Sequence, residues 1–297
     1  MSRQPMPDSP FDPDNAAAFA RWRTAKLAAW PPSPAALVTD LARPDRIEPA
    51  EHARMLEACR RANLCIYRAP PGTAGRDTLR TVAGAFGLVR RDGHLCADAD
   101  GIATLQVARD ARRRDYIPYT DRPINWHTDG YYNPPEQRIR SMMLHCQEPA
   151  AEGGENACID PEIIYLRLRD ENPDYIRALM RPACMTIPAN SDASGVLRPA
   201  QTGPVFSVDG VSGALHMRYT ARRRNIAWAD DPLLREALAF LETLLATDAP
   251  HAIRFRLEAG QGILCNNVLH MRTGFNDGPE QRRTLYRARF YERIAGT

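Results

Sequence analysis

His127-Thr128-Asp129 places an imidazole and a carboxylate two residues apart. On an extended chain the side chains at i and i+2 share a face, so these two groups can meet one metal ion. A motif this short equally suits a surface turn or an ordinary hydrogen bond. His270 ends the run Gly262-Ile263-Leu264-Cys265-Asn266-Asn267-Val268-Leu269-His270, in which a β-like stretch meets a tight turn at Asn266–Asn267. Read alone, it is as well a buried histidine bonded to backbone. Taken together, two imidazoles and one carboxylate occupy one face of an octahedron and leave positions open for substrates, the ligand set of non-haem Fe(II) oxygenases. A third signal is Arg282-Arg283-Thr284-Leu285-Tyr286-Arg287-Ala288-Arg289-Phe290-Tyr291. As a strand it puts Arg283, Leu285, Arg287 and Arg289 on one face, with Arg283 and Arg287 about 13 Å apart. Guanidiniums turned inward need anions, because an unpaired buried charge is very costly. Turned outward, they are a solvated face.

The elements that must hold these residues are mostly short strands. Strand-like runs fall at 103–108, 141–147, 184–188, 204–208, 214–219, 252–257, 262–266 and 283–291. Turn residues separate most of them: Pro149 to Gly154, Gly195 to Gly203, Asp209 to Gly213 and Asn276 to Pro279. That texture predicts a β-sandwich or barrel. Helices are expected at 16–30, from Pro49 to Asn63, around Leu79 to Phe86, over 161–180 with a break at Asn172–Pro173, and at 231–247. Residues 1–15, polar and rich in Pro and Asp, read as a disordered tail. Residues 16–297 read as one domain with helical additions.

The 297 residues carry 39 basic and 36 acidic side chains, a net charge of +3. Arginine outnumbers lysine 38 to 1, with Lys26 the only lysine. This near balance argues against a nucleic-acid partner. No apolar run approaches the ~20 residues of a membrane helix, so no membrane partner is expected. Seven scattered cysteines form no C-x-x-C pair, which favours a reducing, cytoplasmic setting over a disulfide scaffold. Phosphate-loop, H-E-x-x-H and dinucleotide motifs are absent.

The order of H-T-D, Gly153-Gly154-Glu155-Asn156, N-x-x-x-H at 266–270 and Q-R-R-x-x-x-R at 281–287 resembles the taurine/2,4-dichlorophenoxyacetate dioxygenase family. The likeness runs over about residues 60–293, the expected core. It implies a mainly β fold with flanking helices, a double-stranded β-helix of jelly-roll type. It implies Fe(II) as metal, with 2-oxoglutarate and O2 as cosubstrates, and hydroxylation of a second substrate with release of succinate and CO2. Carried over residue by residue, it makes His127, Asp129 and His270 the iron ligands. Arg283 then grips the distal carboxylate of 2-oxoglutarate. Asn156 stands where the family often has threonine, and its amide can still donate. Arg287 matches a position facing either a substrate anion or 2-oxoglutarate. Halogenating relatives lack the carboxylate ligand, so Asp129 points to hydroxylation, which beside a heteroatom also cleaves the substrate.

Asn125, Trp126 and Tyr131 flank H-T-D and are candidate substrate residues, as is Arg218 on a strand before the long helix. The arginines suggest a small anionic substrate. A homo-oligomer is left open. Two rival readings keep the same residues: a zinc-dependent hydrolase on the His/Asp/His set, and a non-catalytic jelly-roll sensor of metal or 2-oxoglutarate.

Overall fold

The computed structural model describes residues 8–31, 33–70, 72–73, 75–93, 98–109, 111–114, 116–192, 195–222, 226–246 and 251–297. The chain divides into two compact units. One comprises Met1–Trp30, Trp126–Glu136 and Ile159–Ala252; the other comprises Pro31–Asn125, Gln137–Cys158 and Ile253–Thr297. Among the described residues no helix is long and apolar enough to cross a membrane.

The second unit is built on a six-stranded sheet. Its order is Val38–Asp40, Leu64–Arg68, Gln261–Cys265, Ser141–Glu148, Thr284–Phe290, Ile102–Leu105. The first pair is parallel and the rest antiparallel. The central strands bury apolar side chains on both faces: Met142, Met143, Cys146, Leu264, Ala288 and Phe290 are fully buried. A second sheet runs Ile253–Phe255, Asn156–Ile159, Leu269–Arg272, Ile124–His127. The helices Pro49–Ala62 and Gly75–Ala85 belong to this unit. The first of them starts on a capping box between Glu48 and Glu51 and stops at Asn63, whose φ of 54° ends the helical run.

The first unit holds the helices Ala16–Ala29, Pro161–Glu171, Pro173–Leu179 and Pro232–Ala246. Asn172 ends one helix and caps the next, accepting from the Asp174 N–H at 3.0 Å, so the expected break falls where the sequence puts it. The helix Ala16–Ala29 buries Phe19 but also Lys26. Lys26 Nζ lies 2.6 Å from carboxylate oxygens of both Asp160 and Glu162. Burial works against its charge, but the two carboxylates outweigh that and raise its pKa. Of the expected tail, residues 1–7 lie outside the described residues. Phe11, by contrast, is buried edge-on against Trp22 and Tyr165, at 5.1 and 5.4 Å between ring centroids. Aromatic packing of this kind orders a segment whose composition reads as mobile.

One stretch departs from the sequence reading. Gly195 to Gly203, expected as a turn, contains the strands Gly195–Arg198 and Gln201–Gly203, paired with Asn190–Asp192 and Met185–Ile187. Gly and Pro mask a β segment here because pairing partners, not local propensity, decide it.

His145, flanked by apolar residues, is a core histidine at 1% exposure. The Tyr67 hydroxyl donates to its Nδ1 at 3.1 Å, and burial lowers its pKa to about 4. The unfolded chain therefore takes up this proton first as pH falls from about 6.5. The neutral ring supports the fold fully above that value, and the support is lost as pH drops toward 4, by up to about 3 kcal/mol. Urea unfolding at pH 7 and pH 4.5 tests this: His145→Gln should shrink the difference between the two midpoints, and an unchanged difference refutes the assignment.

Candidate metal centre and its cationic pocket

The strand Ile124–His127 delivers the His127-Thr128-Asp129 motif, and backbone of residues 219–221 holds it in place. Ala221 N–H donates to Trp126 O at 2.8 Å, and Thr128 N–H donates to Tyr219 O at 3.0 Å. His127 bridges Thr220. The fully buried Thr128 returns the bond: its hydroxyl oxygen accepts from Tyr219 N–H at 3.1 Å. The middle residue of the motif thus faces away and is pinned, while its neighbours share the other side. Gly130, at φ 66°, turns the chain directly after Asp129, a conformation that costs a side-chain-bearing residue about 1–2 kcal/mol.

His270 is placed by two asparagines. Asn267 adopts φ 48° and its amide donates to Ile139 O at 2.8 Å. Asn266 donates to Asn63 Oδ1 at 2.9 Å and accepts from Ile294 N–H at 3.1 Å. This is the tight turn that the sequence predicts, and it opens into the strand Leu269–Arg272. His270 Nδ1 lies 2.8 Å from Val268 O. A carbonyl only accepts, so Nδ1 carries the proton and Nε2 holds the lone pair that a metal needs. Ligand atoms of His127, Asp129 and His270 all lie within 4.8 Å of one another.

The Gly153–Gly154 pair shapes a second feature, in the second unit. Both residues have φ near 70°, at 70° and 72°. A Cβ on Gly153 would sit 2.4 Å from Gly274 O, so only glycine lets the chain approach Phe275 this closely. Beyond the turn, Asn156, Arg256 and Arg283 line a small cleft. Arg283 is 5% exposed, and its guanidinium lies over the Phe275 ring at 4.9 Å. Arg272 covers the same ring at 4.7 Å. Burial lowers the pKa of Arg283 to about 10, with Cys146 and Asp277 acting the other way. Burial and the charge of Arg283 lower that of Arg272 to about 9. Arg272 has carbonyl partners, Thr120 O at 2.8 Å and Arg122 O at 2.5 Å. The Arg283 guanidinium makes no hydrogen bond or ion pair with another described residue, so its buried charge would be met favourably by an anion.

The other sequence candidates are scattered in role. Arg287 is buried in the six-stranded sheet, opposite Leu144 and Ala103. Trp126 donates its indole N–H to Leu245 O at 3.1 Å and is 7% exposed, so packing accounts for it. Arg218 spends its donors on Tyr131 O, Met185 O, Gly203 O and Gln201 O at 2.7–3.4 Å. That is a strut, with little left for a substrate anion. Arg289 pairs with Asp92 and is likewise internal. Asn125 is exposed, and Tyr131 is half-buried with its ring edge-on to Tyr132 at 5.1 Å. Sequence reasoning passed over Arg272, although its position two residues beyond His270 on one strand was a usable signal.

Residues 24–289 match the pattern of the taurine catabolism dioxygenase TauD, TfdA family. The chain belongs to that family. A uridine-5'-phosphate dioxygenase from an Amycolatopsis species is 36% identical over 174 residues, 56% of this chain and 60% of that protein. Another, from a Streptomyces species, is 29% identical over 201 residues, 65% of this chain and 71% of that protein. The chain thus spans less than two thirds of the first relative's length. Asparagine oxygenase, solved with Fe(II), (2S,3S)-3-hydroxyasparagine and succinate, matches with a TM-score of 0.57 at 18% identity, over 94% of this chain and 85% of that one. The fold is the double-stranded β-helix of Fe(II)/2-oxoglutarate oxygenases, as the sequence resemblance implied.

The Thr128–Tyr219 brace has a measurable weight. Thr128→Val keeps the shape but leaves Tyr219 N–H without its buried acceptor, which costs about 1–3 kcal/mol. Equilibrium unfolding in urea should register a loss in that range; a midpoint equal to that of the parent protein refutes the brace.

Proposed function

We propose that this chain is an Fe(II)- and 2-oxoglutarate-dependent dioxygenase that hydroxylates a small anionic substrate. The observation that carries the reading is the gathering of the His127, Asp129 and His270 ligand atoms within 4.8 Å. The donor set fits the metal: two imidazoles and a carboxylate suit Fe(II) and leave three octahedral positions for other ligands. His270 already has the tautomer that ligation requires. When bound, the iron supplies the oxidising chemistry that couples decarboxylation of 2-oxoglutarate to substrate hydroxylation. One atom of O2 enters succinate and the other the new hydroxyl group, with CO2 released.

The chain's own residues supply position and charge. Arg283 meets the distal carboxylate of 2-oxoglutarate in a bidentate grip that lysine would not reproduce. Phe275 fixes the plane of that guanidinium from behind. Asn156, lining the same cleft, donates its amide N–H to the same carboxylate. Arg287 serves a second anionic group, on the substrate or on 2-oxoglutarate. Asp129 fills the ligand position that halogenating relatives leave for chloride, so the product is an alcohol. Where the hydroxylated carbon bears a heteroatom, the product expels that group.

The substrate to test first is uridine 5'-phosphate, because two relatives carry that name. In it, the carbon bearing the phosphoester oxygen is a site where hydroxylation would release phosphate. A cytoplasmic setting suits the reading and is supported by six described cysteines that are all buried free thiols.

Anaerobic protein given Fe(II) and 2-oxoglutarate should develop a visible metal-to-ligand charge-transfer band, and His127→Ala should abolish it. Admitting O2 with uridine 5'-phosphate should then yield succinate, with consumption of the nucleotide. Absence of the band in the parent protein, or zinc-dependent hydrolysis in place of succinate, overturns the proposal. Arg283→Ala should raise the 2-oxoglutarate concentration that half-saturates the band about 30-fold or more, the loss expected for a buried charged pair. Unchanged saturation removes Arg283 from the cosubstrate site.

A further inference from the structure

The turn that launches His270 is held by a hydrogen-bond network that the iron and 2-oxoglutarate roles leave unused. The chain leaves the six-stranded sheet at Cys265 and enters the four-stranded one at Leu269. The direction it takes over those few residues sets where the His270 imidazole arrives. Asn266 is the fixed point of this change. Its backbone N–H donates to Asn63 O at 2.9 Å. Its side-chain amide donates twice, to Asn63 Oδ1 at 2.9 Å and to Thr297 Oγ1 at 3.0 Å, and its Oδ1 accepts from Ile294 N–H at 3.1 Å. Two residues on, Val268 O orients the His270 ring through Nδ1.

The partners of Asn266 are themselves held. Asn63 Oδ1 accepts a second bond, from Arg293 Nη2 at 2.7 Å, so both of its lone pairs are used. Asn63 sits at φ 54°, a conformation that a short amide side chain tolerates better than most. The Thr297 hydroxyl donates onward to Ile294 O at 2.8 Å. Arg60 Nε donates to Gly296 O at 2.9 Å, and Ala295 N–H to Phe86 O at 3.1 Å, which ties residues 293–297 to the helix Pro49–Ala62 and to the residue after the helix Gly75–Ala85. Asn63 is 5% exposed and Asn266 7%, so these bonds are made out of water, where an unmet amide is costly. A buried polar network with its members satisfied admits one geometry, which apolar packing of a turn would not impose.

We propose that Asn63 and Arg293 are positioning residues for the metal ligand His270. Acting through Asn266, they fix the direction of the strand that carries it, and residues 293–297 thereby help to set metal affinity. The inference rests on the metal-site reading and extends it to side chains that are not themselves in the ligand set. Arg293 suits the task because its charge strengthens the bond to Asn63 Oδ1 and holds that amide in the orientation Asn266 needs. A ligand already held in place loses less entropy when the metal arrives.

Titration of the metal-free protein with Co(II), followed by its visible absorption, tests this without turnover. Arg293→Met and Asn63→Ala should each weaken Co(II) binding about tenfold, the loss typical when a group behind a metal ligand is removed. Arg293→Lys keeps a donor and Asn63→Asp keeps the acceptors, so both should recover most of the loss. Asn266→Asp keeps the shape but cannot donate; it should lose as much, and adding Arg293→Met to it should cost little more, because the two act in one network. Titrations are run where urea unfolding shows each variant folded, so that a residue with a merely structural role would leave Co(II) affinity unchanged. Should Asn63→Ala fail to fold, Arg293→Met carries the test, since Arg293 is partly exposed. Parent-like affinity in Arg293→Met overturns the inference and leaves the ligand set standing. A parent protein that takes up no Co(II) overturns both.

Discussion

A guanidinium taken out of water has to be met by an anion or by enough oxygen atoms to replace its hydration, and this chain buries several. Arg289 meets Asp92. Arg169 meets Pro10 O, Pro13 O and the Tyr165 hydroxyl, and lies over Phe19. Arg218 and Arg272 meet carbonyl oxygens. Each of these charges is explained by the fold's own needs. Arg283 differs: it has an aromatic ring behind it and a polar cleft in front. Sorting buried arginines by what answers them separates those met by the fold itself from one that faces a cleft.

The same sorting applies to the metal motif. His127 and Asp129 are functional candidates because Thr128, between them, is spent on Tyr219. His270 can present Nε2 because Nδ1 is spent on Val268 O. In both places a backbone group uses up one side of a residue and thereby directs the other. The asparagine turn does this at larger scale: Asn266 and Asn267 each bond to distant backbone or side chain, and the strand that follows starts in a fixed direction. Preorganisation of this kind lowers the entropy lost when a ligand arrives.

Much of the candidate site was legible in the sequence because it lies in short, ordered motifs: H-T-D, the Gly-Gly turn, His270 and the arginine strand. The helix break at Asn172–Pro173 was legible because proline chemistry is local. What escaped depends on partners far along the chain. Nothing near Lys26 in the chain marks it as buried, because the carboxylate of Asp160 arrives from 134 residues away. Trp126 and Arg218 carried the right chemistry for a substrate wall, but their carbonyl partners come from Leu245 and from residues 131, 185, 201 and 203. Phe275 went unread because nothing local distinguishes a ring between two cations from ordinary packing. The strands Asn156–Ile159 and Leu269–Arg272 were obscured because polar residues interrupt their apolar alternation.

The burial of Lys26 reaches beyond stability. It is the sole side-chain amine in the chain, and in the folded protein it is 6% exposed and locked between two acids. Acylating reagents and lysine-directed proteases therefore find no side-chain target on the native surface. The same reagents gain one once the helix Ala16–Ala29 comes away. Modification of the Lys26 side chain is a gauge of opening, and immobilisation or fluorescent tagging through lysine would select unfolded molecules.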